Sequence, residues 1–230
     1  MLAAAWAGGA LFAASLLFFL YFYGVQLGLP VEADTAPSPI VATLVNLILF
    51  SLFAAHHSLM ARTGAKAWIT RQLPPAFERS AYVWISSLLF FEVCFLWQPV
   101  AGVLYSVPWY LSWLFYAVQL VGLALTIRAA AMLDFLELAG IRQIYGTARS
   151  TVFAADGPFG LVRHPIYLGW LLMVFGAPHM TMSRLVFAII SSAYLVLAIP
   201  WEEKALEEQF STRYRFYQQQ VPWRLIPRLW

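Results

Sequence analysis

Along most of this chain, apolar runs of membrane-crossing length alternate with short polar connections. The runs fall at about 3–23, 41–60, 81–97, 109–133, 165–177 and 184–201. The first four approach or reach the roughly 20 residues that a spanning helix needs. The fifth is short and is punctuated by Gly169 and by Gly176-Ala177-Pro178, so the fifth and sixth are read as a helical hairpin, not necessarily a full crossing. Beyond Trp201, Leu206, Phe210, Tyr214, Tyr217 and Val221 recur at spacings of four, four, three and four, which is one face of a helix. Glutamates and glutamines fill its other faces, and Pro222 and Pro227 end it. Such a helix either lies at the membrane interface or folds back as a lid over a cytoplasmic cavity. The predicted fold class is all-α integral membrane: a bundle of five or six transmembrane helices, a helical hairpin over about 162–201 and a cytoplasmic C-terminal amphipathic helix. One domain, 1–230, is expected, without internal repeats.

Composition supports the lipid bilayer as solvent. The chain is 62% hydrophobic and 11% charged, against about 25% charged in ordinary soluble domains. The net charge of +3 comes with no basic tract that would track phosphates, so no nucleic acid partner is expected. Cys94 is the only cysteine, which leaves neither a disulfide framework nor a thiolate metal site. The first apolar run has no Lys or Arg before it and no clear cleavage site, so it reads as a retained helix. Loops 24–40 and 98–108 hold no Lys or Arg, and every basic residue except Arg184 falls on the opposite side. The positive-inside rule then predicts cytoplasmic N- and C-termini. Nothing in the sequence indicates the oligomeric state.

Three charged clusters interrupt this apolar background. In VRHPIYLGW, residues 162–170, Pro165 suits the first turn of a helix, and the free N–H groups there favour an anion. Arg163 and His164 stand just before that turn, and Gly157-Pro158 and Gly160 let the backbone bend closely around a ligand. The plainer alternative is an arginine at the membrane interface and a proline that starts a helix. The second cluster is Trp201-Glu202-Glu203-Lys204, where the sixth run leaves the membrane. A hairpin would bring Glu202 and Glu203 to face Arg163 and His164, either as a salt bridge or as a two-ended pocket for a zwitterion. The third is His56-His57 with Arg62, followed by Glu78 and Arg79 at the head of the third helix, where these two could simply pair. Consecutive helical residues point in different directions. One histidine is therefore expected to face the interior and the other the interface, with no shared metal. Glu92 is an intramembrane carboxylate, and such groups are functional by default; Gln119 is a guess for its partner.

GPFGLVRHPIYLGW, followed by WEEKALEEQFSTRYRFYQQQVPWRLIP, resembles the C-terminal half of the isoprenylcysteine carboxyl methyltransferase superfamily over residues 157–227. The shared pattern is a glycine-led R-H-P-x-Y-x-G, a hairpin, E-E, F-x-x-x-Y-x-x-Y and a late proline. FAAHHSLMARTGAKAW and LPPAFERSAYVW, within 53–84, are similar to the NnrU-like branch, which includes bacterial methanethiol S-methyltransferases. Together the similarity covers nearly all of 40–230.

The resemblance implies S-adenosylmethionine as cofactor, held by a part spanning about 140–227. It implies that Gly157, Leu161, Val162, Arg163, His164 and Tyr167 line the donor's site. Glu202 and Glu203 would accept its amino and ribose groups, and Tyr214 and Tyr217 would stand near it; a tyrosine ring could also stabilise the sulfonium through a cation–π contact. On the acceptor side it implies His57, Arg62, Glu78 and Arg79 as catalytic candidates. A thiol attacks as its thiolate, so a neutral His57 could take the proton. The expected partner is a small apolar thiol such as methanethiol, giving dimethyl sulfide, in a bacterial inner membrane. Other readings are methylation of a different membrane-partitioning thiol or carboxylate, a sterol-reductase-like use of a nicotinamide, and a non-enzymatic or haem-linked helper of nitrogen-oxide respiration. The chain departs from the family pattern at Ser211, where glycine often follows the phenylalanine.

Overall fold

The computed structural model describes residues 2–34, 36–60, 71, 75–145 and 154–230. The long helices are α1 (Leu2–Gly24), α2 (Pro39–Met60), α3 (Pro75–Leu96) and α4 (Trp109–Met132), followed by the short α5 (Pro165–Phe175), α6 (Met182–Phe210) and α7 (Thr212–Gln220). Two short strands, Val103–Ser106 and His179–Thr181, are the only ones among the described residues. Five helices, α1, α2, α3, α4 and α6, are long and apolar enough to cross a membrane. The all-α integral membrane class predicted from the apolar runs is therefore the class observed.

The fifth run forms a short helix, as expected, and one boundary, the end of the sixth, differs from expectation. α5 has 11 residues, about 16 Å at 1.5 Å per residue, roughly half the hydrocarbon thickness. The sixth apolar run does not stop at Trp201 but continues through Pro200 as one helix to Phe210. A proline inside a helix removes one hydrogen bond, and here the helix carries on regardless.

The chain groups into two compact units. The first holds Met1–Leu104, Phe135–Ser150 and Thr181–Phe187; the second holds Tyr105–Asp134, Thr151–Met180 and Ala188–Trp230. In the first, Phe187 is fully buried among aromatic rings. Its centroid lies 5.6 Å from Phe19, 5.7 Å from Phe22, 5.2 Å from Trp97 and 6.1 Å from Phe50. Lipid tails are as apolar as these rings, so shape and ring geometry, not water exclusion, drive their association. Arg184, the exception to the charge asymmetry, is buried in this unit. Its guanidinium donates to the Tyr23 carbonyl at 3.1 Å and the Gly24 carbonyl at 2.7 Å, and lies 5.5 Å over the Tyr23 ring. A cation at the last carbonyls of α1 satisfies groups the helix leaves open and complements its dipole.

In the second unit α5 packs against α4 through small residues. A Cβ added at Gly169 would stand 2.6 Å from the Gly122 carbonyl oxygen, so the two backbones touch with no room for a side chain. Gln119 donates from its amide to the Met173 carbonyl at 2.8 Å, which commits it to α5; it is not the Glu92 partner guessed from sequence. The chain beyond α5 is not helical, yet its carbonyls are met: Tyr105 Oη donates to Ala177 O at 3.0 Å and Val107 N–H to Pro178 O at 2.8 Å. At membrane depth such pairing is required. Gly169→Leu is therefore expected to destabilise the detergent-purified protein by about 1–3 kcal/mol through overpacking. A thermal melt followed by circular dichroism reads this, and an unchanged midpoint would mean that α4 and α5 stand further apart.

Candidate active site

The segment before α5 is built on a turn that requires glycine. Gly157 has φ +58°, and a Cβ there would also press on Met132 Sδ at 3.2 Å. The turn Gly157–Gly160 follows, with Leu161 pointing outward and Val162 fully buried. Arg163 and His164 come next, and Pro165 starts α5 as predicted. The backbone N–H groups of the basic pair are not left for an anion. Arg163 N–H donates to Trp223 O and His164 N–H to Arg224 O, both at 2.9 Å.

Side chains then converge on the two glutamates of α6, all within the second unit. Arg163 Nε donates to Glu203 Oε1 at 2.7 Å, and its Nη1 reaches the carbonyls of Val221 at 2.9 Å and Pro222 at 2.8 Å. Arg224 Nε donates to the other oxygen, Glu203 Oε2, at 3.0 Å. His164 lies between the carboxylates, with Nδ1 3.6 Å from Glu202 Oε2 and Nε2 3.5 Å from Glu203 Oε1. Its Nε2 is buried and makes no hydrogen bond among the described residues. The Tyr167 ring stacks on the His164 ring, centroids 5.4 Å apart, and its hydroxyl donates to Glu202 Oε1. The adjacent glutamates thus differ. The Glu203 side chain is 5% exposed and bound by two guanidiniums, whereas that of Glu202 is 46% exposed and held by a tyrosine and a histidine.

The tail closes over this cluster. Tyr214, Tyr217 and Val221 form a buried core with Leu206, Phe210, Ala155 and Phe159, so the apolar face read from the spacing meets protein. Tyr217 Oη donates to Phe159 O at 2.7 Å. Burial pushes both tyrosine hydroxyls well above their ordinary pKa, so they remain protonated. Ser211, between α6 and α7, has φ +46° and ψ −116°. That conformation suits glycine, which accounts for the glycine the family pattern places there.

The acceptor-side candidates lie in the first unit. Arg62 falls outside the described residues. Glu78 and Arg79 are in the first turns of α3, and the Arg79 guanidinium lies 5.0 Å over the Tyr82 ring. The two histidines point in different directions yet share a neighbour. Both rings meet Tyr82 of α3, His56 stacked at 5.9 Å and His57 tilted at 5.5 Å. A rotation of 100° per residue separates their directions, but one phenol ring is broad enough to fill the angle between them. Tyr82 Oη is 2.8 Å from His57 Nδ1, and Ser86 Oγ is 3.3 Å from His56 Nδ1. No group of three or more metal-ligating side chains occurs among the described residues. Sequence reasoning singled out neither Tyr82 nor Arg224. Tyr82 stands three residues after Arg79 and four after Glu78, the spacing that puts side chains on one helix face.

Comparison with known proteins places the chain. It is 35% identical over 227 residues to methanethiol S-methyltransferase 2 of Bradyrhizobium diazoefficiens, covering 96% of this chain and 87% of the relative. It is 34% identical over 236 residues to the methanethiol S-methyltransferase of Mycobacterium tuberculosis, covering 92% and 94%. The chain belongs to the methanethiol S-methyltransferase family. It is a membrane methyltransferase, and the reductase and helper readings give way to an enzyme of methyl transfer. Nurim of Sus scrofa is 29% identical over 167 residues, covering 66% of the chain and 63% of the relative. No protein-family model and no solved structure matches.

Two outcomes follow from this geometry. Glu203→Gln leaves the buried Arg163 cation without its counter-charge and is expected to cost about 3 kcal/mol of stability. Ser211→Gly relieves a positive φ and is expected to add about 1 kcal/mol. Thermal unfolding of the two variants beside the parent should move the midpoint in opposite directions.

Proposed function

We propose that the protein transfers the methyl group of S-adenosylmethionine to methanethiol, releasing dimethyl sulfide and S-adenosylhomocysteine. The observation that carries this reading is the His164–Tyr167–Glu202 group, a half-exposed carboxylate that accepts from the Tyr167 hydroxyl and lies 3.6 Å from Nδ1 of a buried imidazole. An anionic acceptor of that kind fits the ammonium of a zwitterionic ligand. The relatives named for methanethiol methylation support the choice of acceptor.

When bound, S-adenosylmethionine supplies an electrophilic methyl group on a cationic sulfur. Glu202, oriented by Tyr167 and His164, receives the donor's amino group. Glu203 does not touch the ligand: with both oxygens taken by Arg163 and Arg224 it holds the start of α5 and the tail in register. Tyr214 and Tyr217 keep the tail packed and exclude water. In the first unit, His57 takes the proton of the thiol so that sulfur attacks as thiolate. Little else is required, because bringing a thiolate and a sulfonium together neutralises charge, and positioning with dehydration does the rest. The protein works in a bacterial inner membrane with both termini in the cytoplasm, an orientation that the charge asymmetry of the loops supports.

Calorimetric titration of S-adenosylhomocysteine into detergent-purified protein tests the donor site. Glu202→Gln and His164→Ala are each expected to weaken binding at least tenfold. His57→Ala should leave binding intact while slowing dimethyl sulfide release, read by headspace gas chromatography. Parental affinity in both donor-site variants would remove the assignment.

A further inference from the structure

We infer that Tyr82 is a positioning residue of the transfer reaction: its hydroxyl oxygen accepts the Nδ1–H of His57 and so leaves Nε2 as the lone-pair nitrogen that meets the thiol proton. This rests on the reading of His57 as proton acceptor. A neutral imidazole carries one proton, and the nitrogen that holds it is decided by the hydrogen bond the other side of the ring makes. Tyr82 Oη is 2.8 Å from His57 Nδ1 and 3.3 Å from Nε2, so Nδ1 has the shorter contact.

The surroundings fix the phenol itself. Tyr82 is buried, with its ring against both His56 and His57 and beneath the Arg79 guanidinium. A cation over the ring face holds the ring in place electrostatically. The start of α3 is held in turn: Ser80 Oγ donates to Gly140 O at 2.6 Å, two residues before Tyr82. Intramembrane polar groups are expensive and persist where they serve a purpose. A phenol with histidines on two sides and an arginine over its face is more than a helix pair needs for packing. The proton balance is simple. The thiol S–H bond breaks, its proton goes to Nε2, and the resulting imidazolium keeps its Nδ1–H on the Tyr82 oxygen until the proton is lost to solvent after transfer.

The test uses the full-length protein in detergent with S-adenosylmethionine and methanethiol. Tyr82→Phe keeps the ring, and with it the contacts to His56, His57 and Arg79, and removes only the oxygen. It is expected to lower kcat about tenfold, the loss that follows removal of a group orienting a functional histidine, with KM for the thiol and affinity for S-adenosylhomocysteine unchanged. The chain has four histidines, so 15N spectra of histidine-labelled protein, assigned with a His57→Gln variant, report the tautomer directly. The parent should show His57 protonated on Nδ1, and Tyr82→Phe should show a mixture or the reverse. Full kcat in Tyr82→Phe, or an unaltered tautomer, overturns the inference while a slow His57→Gln leaves the proposed function standing. A His57→Gln enzyme at full speed overturns both together.

Discussion

The folded second unit depends on one buried carboxylate. Glu203 binds Arg163, which precedes α5, and Arg224, which belongs to the tail beyond α7. Through it three stretches distant in sequence are joined at one point. The backbone repeats the connection, since Trp223 and Arg224 accept from the N–H groups of Arg163 and His164. Charge buried without a partner would be costly. Here one carboxylate takes a guanidinium on each oxygen, and Arg163 uses a remaining N–H on main-chain carbonyls that would otherwise be open. The arrangement also explains why an otherwise charge-poor chain carries an arginine pair and a glutamate pair at the same end of its hairpin.

The same accounting applies to the backbone. In lipid every carbonyl must find a donor. α1 ends on Arg184, and the non-helical chain after α5 ends on the Tyr105 hydroxyl and the Val107 amide. A short α5 is possible only because those partners exist. The intimate contact of Gly122 and Gly169 brings α4 close enough for Gln119 to reach the Met173 carbonyl.

How much of this the sequence disclosed depends on the range of the interaction. The apolar runs located the apolar parts of the five long helices, because hydrophobic length is local, but not the polar turns that extend α3 back to Pro75 and α6 on to Phe210. The hairpin was legible too, since complementary charges at its two ends predicted the meeting of Arg163 and His164 with Glu202 and Glu203. Their division of labour was not: adjacent glutamates look alike in sequence, and only the reach of Arg224 from the tail separates them. The extension of α6 to Phe210 escaped because the continuous apolar run ends at Trp201, and at Ser211 the departure from the family's glycine was visible but the positive φ behind it was not. The ring that His56 and His57 share escaped because a rule about directions on one helix says nothing of how wide the neighbour's side chain is. Tyr82 and Arg224 both sat inside recognised stretches, unremarked among other aromatic and basic residues.

The two units hold their polar groups by different means, and the difference suits the role proposed for each. Around Glu203 the groups are ionic and paired, which suits a site that must keep its shape whether or not a charged ligand is present. The His56–His57–Tyr82 cluster joins aromatic rings with the hydroxyls of Tyr82 and Ser86, and the Arg79 cation lies against a π face. A permanent carboxylate bound to His57 would hold the ring as a cation and remove its capacity to take a proton. A phenol oxygen orients the ring without that bias, since it carries no charge. Neutral partners are thus what a proton acceptor inside a membrane helix pair requires, just as paired ions are what a rigid clamp requires.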